Sequence, residues 1–237
     1  MSLLELHGVS KRFGGLMANQ EVSFSVEAGQ IVGLIGPNGA GKTTAFNCVA
    51  GYYTPTSGRI ELAGKTISGL TPEACARAGV GRTFQVARTF TSMTACENVI
   101  AAALLGQRRV GAARAAALQW LAFVGLERFA DKPAGSMTIS EQRRLAVARA
   151  LAIAPKLLLM DEVMAGLNPS EVREMVKVVL AIRDRGIACL IVEHVLEGIM
   201  PIADKIVVLD RGIKIADGTP AEVARDPAVI AAYLGDA

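Results

Sequence analysis

One segment limits the folds open to this chain more than any other. Gly36-Pro37-Asn38-Gly39-Ala40-Gly41-Lys42-Thr43 fits the pattern G-x-x-x-x-G-K-[ST]. It follows the run Gln30-Ile31-Val32-Gly33-Leu34-Ile35, which reads as a strand buried on both faces of a parallel sheet. Residues 42–50 after it read as a helix. Strand, glycine loop and helix in that order make an anion cradle. Glycine lets the backbone wrap close around phosphates, and the loop amides and helix N-terminus supply partial positive charge. The pattern predicts that Gly36, Asn38, Gly39, Ala40, Gly41 and Thr44 surround a phosphate chain. Lys42 then reaches the β- and γ-phosphates, and Thr43 offers its hydroxyl to Mg²⁺.

A second apolar run, Leu157-Leu158-Leu159-Met160, ends in Asp161-Glu162. Adjacent carboxylates at the end of a buried strand need something to pair with. Beside a phosphate loop, Asp161 is the candidate Mg²⁺ ligand and Glu162 the candidate general base for an attacking water.

The remaining pattern alternates buried strands with helices. Residues 3–6 and 22–27 read as strands around a Gly14-Gly15 turn, and 59–63, 80–84, 187–192 and 206–209 as further strands. Residues 213–216 read as an edge strand. Helices are expected over 140–152, 170–185, 220–225 and 228–234, and residues 94–134 read as a small helical insertion. Such alternation implies an α/β fold with a mostly parallel sheet covered on both faces. Of the 237 residues, 51% are hydrophobic and 20% charged, which excludes a disordered chain. A net charge of +3 gives no argument for nucleic-acid binding. The longest apolar stretches, 99–105 and 157–160, fall short of the roughly 18 residues a membrane span needs. No signal-peptide pattern opens the chain, so a cytoplasmic location is expected. Cys48, Cys75, Cys96 and Cys189 are scattered without a C-x-x-C and read as reduced, buried thiols.

Further segments carry a family resemblance. Gln85 ends Gly81-Arg82-Thr83-Phe84-Gln85; residues 141–151 form an Arg- and Ala-rich helix; Ala165-Gly166-Leu167-Asn168 follows the two acids; His194 lies at the end of the last buried strand; Phe13 precedes the phosphate loop. In this order they resemble the ATP-binding subunit of an ABC transporter over essentially the whole chain. The resemblance implies a P-loop NTPase of the ABC ATPase type, with a mostly parallel core sheet, an N-terminal antiparallel β subdomain and an inserted α-helical subdomain. It implies a single ABC ATPase domain over 1–237: 1–93 and 155–237 as catalytic core with β subdomain, and about 94–154 as helical subdomain. ATP and Mg²⁺ are the implied ligands. Phe13 would stack on adenine, Gln85 would serve Mg²⁺ and link to the membrane subunits, and His194 would sense the γ-phosphate. Residues 94–134 and the segment Arg88-Thr89-Phe90 would face those subunits. The implied partners are a second ATPase subunit, more often a different chain than a copy, membrane permease subunits and, for an importer, a solute-binding protein. The subunit would sit on the cytoplasmic face of the inner membrane.

Lys11-Arg12-Phe13-Gly14-Gly15-Leu16, Ala165-Gly166-Leu167-Asn168-Pro169 and the ending Ala232-Tyr233-Leu234-Gly235 are similar to ATPases of branched-chain amino-acid uptake. Importers of urea or short amides and lipopolysaccharide-export ATPases look similar. The chain lacks the coiled coil, zinc insertion or tandem halves of non-transport ABC ATPases. It also departs from the family. The signature, usually Leu-Ser-Gly-Gly-Gln, is here Met137-Thr138-Ile139-Ser140-Glu141. In the family this segment acts in trans, covering the γ-phosphate on the partner's phosphate loop. Ser140 replaces a glycine, adding a Cβ where backbone would approach phosphate, and it also reads as a helix N-cap. Val163 stands where proline usually follows the acids and is expected to extend the strand.

Overall fold

A computed structural model describes residues 2–84, 89–107 and 109–234, with the side chain of Leu234 excepted. Two sheets form its frame. In the first, β1 (Ser2–Phe13) and β2 (Leu16–Glu27) are antiparallel, and β4 (Ser57–Leu62) and β5 (Lys65–Thr66) extend the order to β2-β1-β4-β5. β1 and β2 run well beyond the short stretches expected from alternation. Their register shifts between Leu6 and Val9 and again near Lys11, so bulges break the two-residue period that would have revealed them.

The second sheet has the order β10-β9-β3-β8-β7-β6. β3 (Ile31–Ile35), β6 (Val80–Arg82), β7 (Leu157–Asp161), β8 (Ala188–Val192) and β9 (Lys205–Asp210) are parallel, and β10 (Ile213–Gly218) closes one edge antiparallel. Every residue of β3, β7 and β8 is buried, as their unbroken apolar sequences require. Alternate side chains serve two cores. Val32, Leu34, Leu159 and Leu190 face the antiparallel sheet and α1 (Lys42–Val49), whereas Ile31, Ile35, Met160 and Ile191 face the other helices. Gly33 belongs to the second side. A Cβ there would lie 2.6 Å from Ile206 Cδ1 and 3.0 Å from Ile199 Cγ1, so its absence admits α7 (Leu196–Ile199) against the sheet.

The helical stretch resolves into α3 (Ala95–Ala103), α4 (Val110–Phe123) and two short turns, Glu127–Phe129 and Ala134–Ser136, with α3 and α4 both packing on α5 (Ile139–Leu151). α6 (Pro169–Asp184) follows the acids, with Asn168 as its N-cap. α8 (Pro220–Val223) and α9 (Pro227–Leu234) are the last described elements. Sequence patterning did not reveal α2 (Pro72–Ala78), α7 or β5, each too short to show a period. Among the described residues no helix is long and apolar enough to cross a membrane.

Candidate functional site

The parallel strands β3, β8 and β7 are neighbours, so their C-terminal ends bring three expected segments together: the phosphate loop, His194 and the Asp161-Glu162 pair. This is where open parallel sheets present ligand crevices. The loop is built tightly. Gly36 has φ 144, and a Cβ there would sit 2.0 Å from the Leu209 carbonyl oxygen. Gly41 has φ 94, and its Cβ would meet the Ala18 carbonyl oxygen at 2.4 Å. The Asn19 side-chain amide donates to the Gly41 carbonyl at 3.2 Å, and the Gly212 amide to Ala40 at 3.1 Å, bracing the loop from outside. Lys42 Nζ donates to the carbonyls of Gly36 at 2.7 Å and Pro37 at 2.9 Å, so its charge lies across the loop. Burial lowers the Lys42 pKa, opposed by the Glu162 carboxylate. Thr43 is exposed and Thr44 half-buried at the first turn of α1.

Asp161 ends β7 and is buried. Its backbone amide donates to Thr83 Oγ1 at 3.3 Å, and Arg82 Nη2 lies 3.4 Å from its Oδ2. Burial raises its pKa, Arg82 opposes that, and Glu162 adds to it. A carboxylate under such strain gains from a nearby cation, and with the Thr43 hydroxyl it offers the hard oxygen donors that suit Mg²⁺. Arg82 also donates to Asn47 Oδ1 at 2.7 Å and stacks on Phe46, Tyr52 and Phe84, at 4.8–5.0 Å from the ring centroids.

Glu162 has φ 50, so the chain turns there and does not continue the strand into Val163, which corrects the expected extension. The Glu162 side chain is 24% exposed at that turn. Its Oε1 is 3.8 Å from Nδ1 of the exposed His194. Arg143 on α5 donates to the Glu162 carbonyl oxygen, tying the helix to the turn.

Phe13 is 40% exposed and borders a cleft of about 500 Å3 whose floor is Gly39 to Thr44. Tyr53 meets it edge-on, with centroids 5.1 Å apart at 78°. Lys11 Nζ lies 5.0 Å from the Phe13 centroid and donates to the Thr54 carbonyl at 2.9 Å.

The signature segment lies elsewhere. Thr138, not Ser140, is the N-cap of α5. Its hydroxyl accepts from the Glu141 amide at 3.2 Å, and Glu141 Oε2 accepts from the Thr138 amide at 2.9 Å, a capping box. Thr138 wins because its partner three residues on is an acid, whereas Ser140 has Arg143 there. Ser140 is thus inside the helix and buried, while Ile139 is 63% exposed. Burial alone would raise the Glu141 pKa, but Lys132 Nζ at 2.8 Å and the Thr138 amide outweigh it and leave it lowered. Thr138, Ser140 and Glu141 line a separate cleft with Ser170 and Arg173, which shares no residue with the phosphate-loop cleft. Gln85 and Arg88 lie outside the described residues, as does Gly235.

Sequence reasoning missed Glu193. It is 1% exposed, and its Oε1 accepts from the Met164 amide at 2.7 Å. One buried carboxylate therefore holds the residue two after Glu162 and adjoins His194 in sequence. Burial raises its pKa, opposed by the Met164 amide and by His194. An acid prolonging a fully buried strand was the available signal.

Comparison with known proteins adds relatives. A family model described as "ABC transporter" matches residues 19–165, and one described as "Branched-chain amino acid ATP-binding cassette transporter" matches residues 214–237. The high-affinity branched-chain amino acid transport ATP-binding protein BraF of Pseudomonas aeruginosa is 43% identical over 99% of this chain and 98% of its own. LivG of Escherichia coli, named for the same transport, is 40% identical over the same shares. The lipopolysaccharide export system ATP-binding protein LptB of Acidithiobacillus ferridurans is 34% identical over 99% and 97%. The crystal structure of the ADP conformation of MJ1267, an ATP-binding cassette of an ABC transporter, superposes with a TM-score of 0.91 at 30% identity, covering 100% of both chains.

Proposed function

Because this chain belongs to the ABC transporter family, we propose that it is the ATP-hydrolysing subunit of an importer for branched-chain or other hydrophobic amino acids. The observation that carries the hydrolytic role is the convergence of Lys42, Asp161, Glu162 and His194 on one end of neighbouring strands. The solute class rests on the relatives' names and on the match over residues 214–237.

The chemistry is phosphoryl transfer to water, which depends on positioning and charge neutralisation. The loop amides and Lys42 hold the phosphates, and Lys42 exchanges its carbonyl partners for phosphate oxygens. Thr43 and Asp161, with Gln85, would hold Mg²⁺, which when bound neutralises charge on the β- and γ-phosphoryl oxygens. Glu162 accepts a proton from, or orients, the attacking water. His194, 3.8 Å from Glu162, senses the γ-phosphate. Phe13, steadied by Tyr53, stacks on the adenine.

Two ATPase subunits face each other head to tail, each signature closing the other's site. The separation of the signature cleft from the phosphate-loop cleft within one chain supports this. The partner subunit is a different chain, and permease subunits dock near Thr89 and Phe90, where Arg149 stacks 5.0 Å from the Phe90 centroid. A solute-binding protein delivers the solute. No nucleic acid takes part. The subunit is held peripherally at the cytoplasmic face of the inner membrane. The likeness to a lipopolysaccharide-export ATPase favours one alternative reading, transport of another solute; urea and short amides belong to the same alternative.

Leucine uptake separates these readings. In a strain without other leucine uptake systems, deletion of this chain should abolish uptake, and wild type but not Glu162→Gln should restore it. Undiminished uptake after deletion contradicts the amino-acid assignment.

A further inference from the structure

The antiparallel sheet carries a side-chain cluster that the nucleotide chemistry does not use. Glu5 and His7 are two residues apart on β1 and share a face. Glu61 on β4 is the cross-strand partner of Glu5. Two carboxylates directly opposite each other in an antiparallel pair repel. Here both turn towards one imidazole: His7 Nε2 lies 3.4 Å from Glu5 Oε2 and 3.8 Å from Glu61 Oε2. Both distances exceed those of N–H···O hydrogen bonds. Nε2 is shielded from solvent and makes no hydrogen bond. The three ligand atoms all lie within 4.8 Å of one another.

The two His7 edges come close to those of a metal shell. Tetrahedral Zn²⁺ with bonds of about 2.0–2.1 Å sets neighbouring ligand atoms roughly 3.3–3.4 Å apart. The 3.4 Å edge matches that shell, and the 3.8 Å edge closes on it by a small rotation of one carboxylate. Arg59 Nε, 2.9 Å from Glu61 Oε1, holds the other oxygen of that carboxylate and leaves Oε2 for an ion. An imidazole with two carboxylates favours Zn²⁺ and its neighbours over Mg²⁺ or Ca²⁺.

We propose that Glu5, His7 and Glu61 form a binding site for a divalent cation of the Zn²⁺ class, with water in the fourth position. The ion links β1 to β4 on the sheet that carries Phe13 at the far end of β1.

Titration of the full chain with ZnCl₂, followed by calorimetry, and with Co²⁺, followed by its tetrahedral visible absorption, tests this. The chain has 2 histidines, and the other, His194, lies beside Glu162, so His194→Ala is the control. Wild type and His194→Ala should bind one equivalent alike. His7→Ala and Glu61→Gln should each weaken binding by at least about tenfold. In EDTA, both should unfold at the wild-type temperature, and Zn²⁺ should raise that temperature for wild type only. No saturable binding by wild type overturns the site. So does binding that His7→Ala leaves intact, or binding that His194→Ala removes.

Discussion

Replacing Glu193 removes a buried side chain that anchors the turn after Glu162 and adjoins His194 in sequence. Its carboxylate takes the Met164 amide at 2.7 Å. Glu193→Ala leaves the Met164 amide without an acceptor, and Met164 is fully buried. An unpaired buried amide costs about 1–3 kcal/mol. If that cost falls on the geometry of Glu162 and His194, turnover drops by about 5- to 150-fold. Glu193→Gln keeps an oxygen acceptor in place and should stay close to wild type. Phosphate release by the assembled transporter reads the effect, with ATP affinity changed less than turnover in Glu193→Ala. A pH arm separates anchoring from charge. Burial raises the Glu193 pKa above the ordinary value of about 4.3. The folded state therefore holds the proton more tightly than the unfolded chain. Stability falls as pH rises between the ordinary and the raised value, and the cost is fully present above the raised value. Glu193→Gln removes that fall, so its urea midpoint should gain on wild type as pH rises above about 4. Wild-type turnover in Glu193→Ala, or equal losses in the Ala and Gln variants, would refute the reasoning.

Gly36→Ala places a methyl 2.0 Å from the Leu209 carbonyl oxygen at φ 144, which should cost about 2–6 kcal/mol in urea unfolding and abolish ATP binding. Phe13→Ala should weaken ATP binding about tenfold while leaving tripolyphosphate binding within twofold, since a stacked base contributes about 1–3 kcal/mol; equal losses for both ligands would deny Phe13 its place beside the base. Ser140→Gly removes the Cβ that the signature carries here and should raise ATP turnover of the assembled complex. Unchanged turnover would mean that the serine is tolerated at the partner's site.

Legibility followed burial. β3, β7 and β8 were readable because strands buried on both faces leave unbroken apolar runs. The phosphate loop was readable because Gly36 and Gly41 occupy positions where any Cβ meets backbone. The long β1 and β2 were not, because bulges between Leu6 and Val9 and near Lys11 interrupt their alternation. The start of α5 was misplaced because Ser140 is as good a cap as Thr138 in isolation. The reciprocal bond from Glu141 decides between them, and it depends on spacing. Glu193 escaped notice because a carboxyl beside His194 reads as solvated until the depth of β8 is known. Arg82 and Tyr53 act through contacts with Asp161 and Phe13 far away in sequence, which local patterning does not carry.

The central claim is that this chain's own Glu162 drives hydrolysis of ATP held on its phosphate loop. ATP binding and phosphate release by the assembled transporter carrying Glu162→Gln test it most directly. The account predicts ATP binding within about threefold of wild type and turnover lower by about 10²–10⁴-fold, the range for loss of a general base. Normal turnover with intact binding would contradict it.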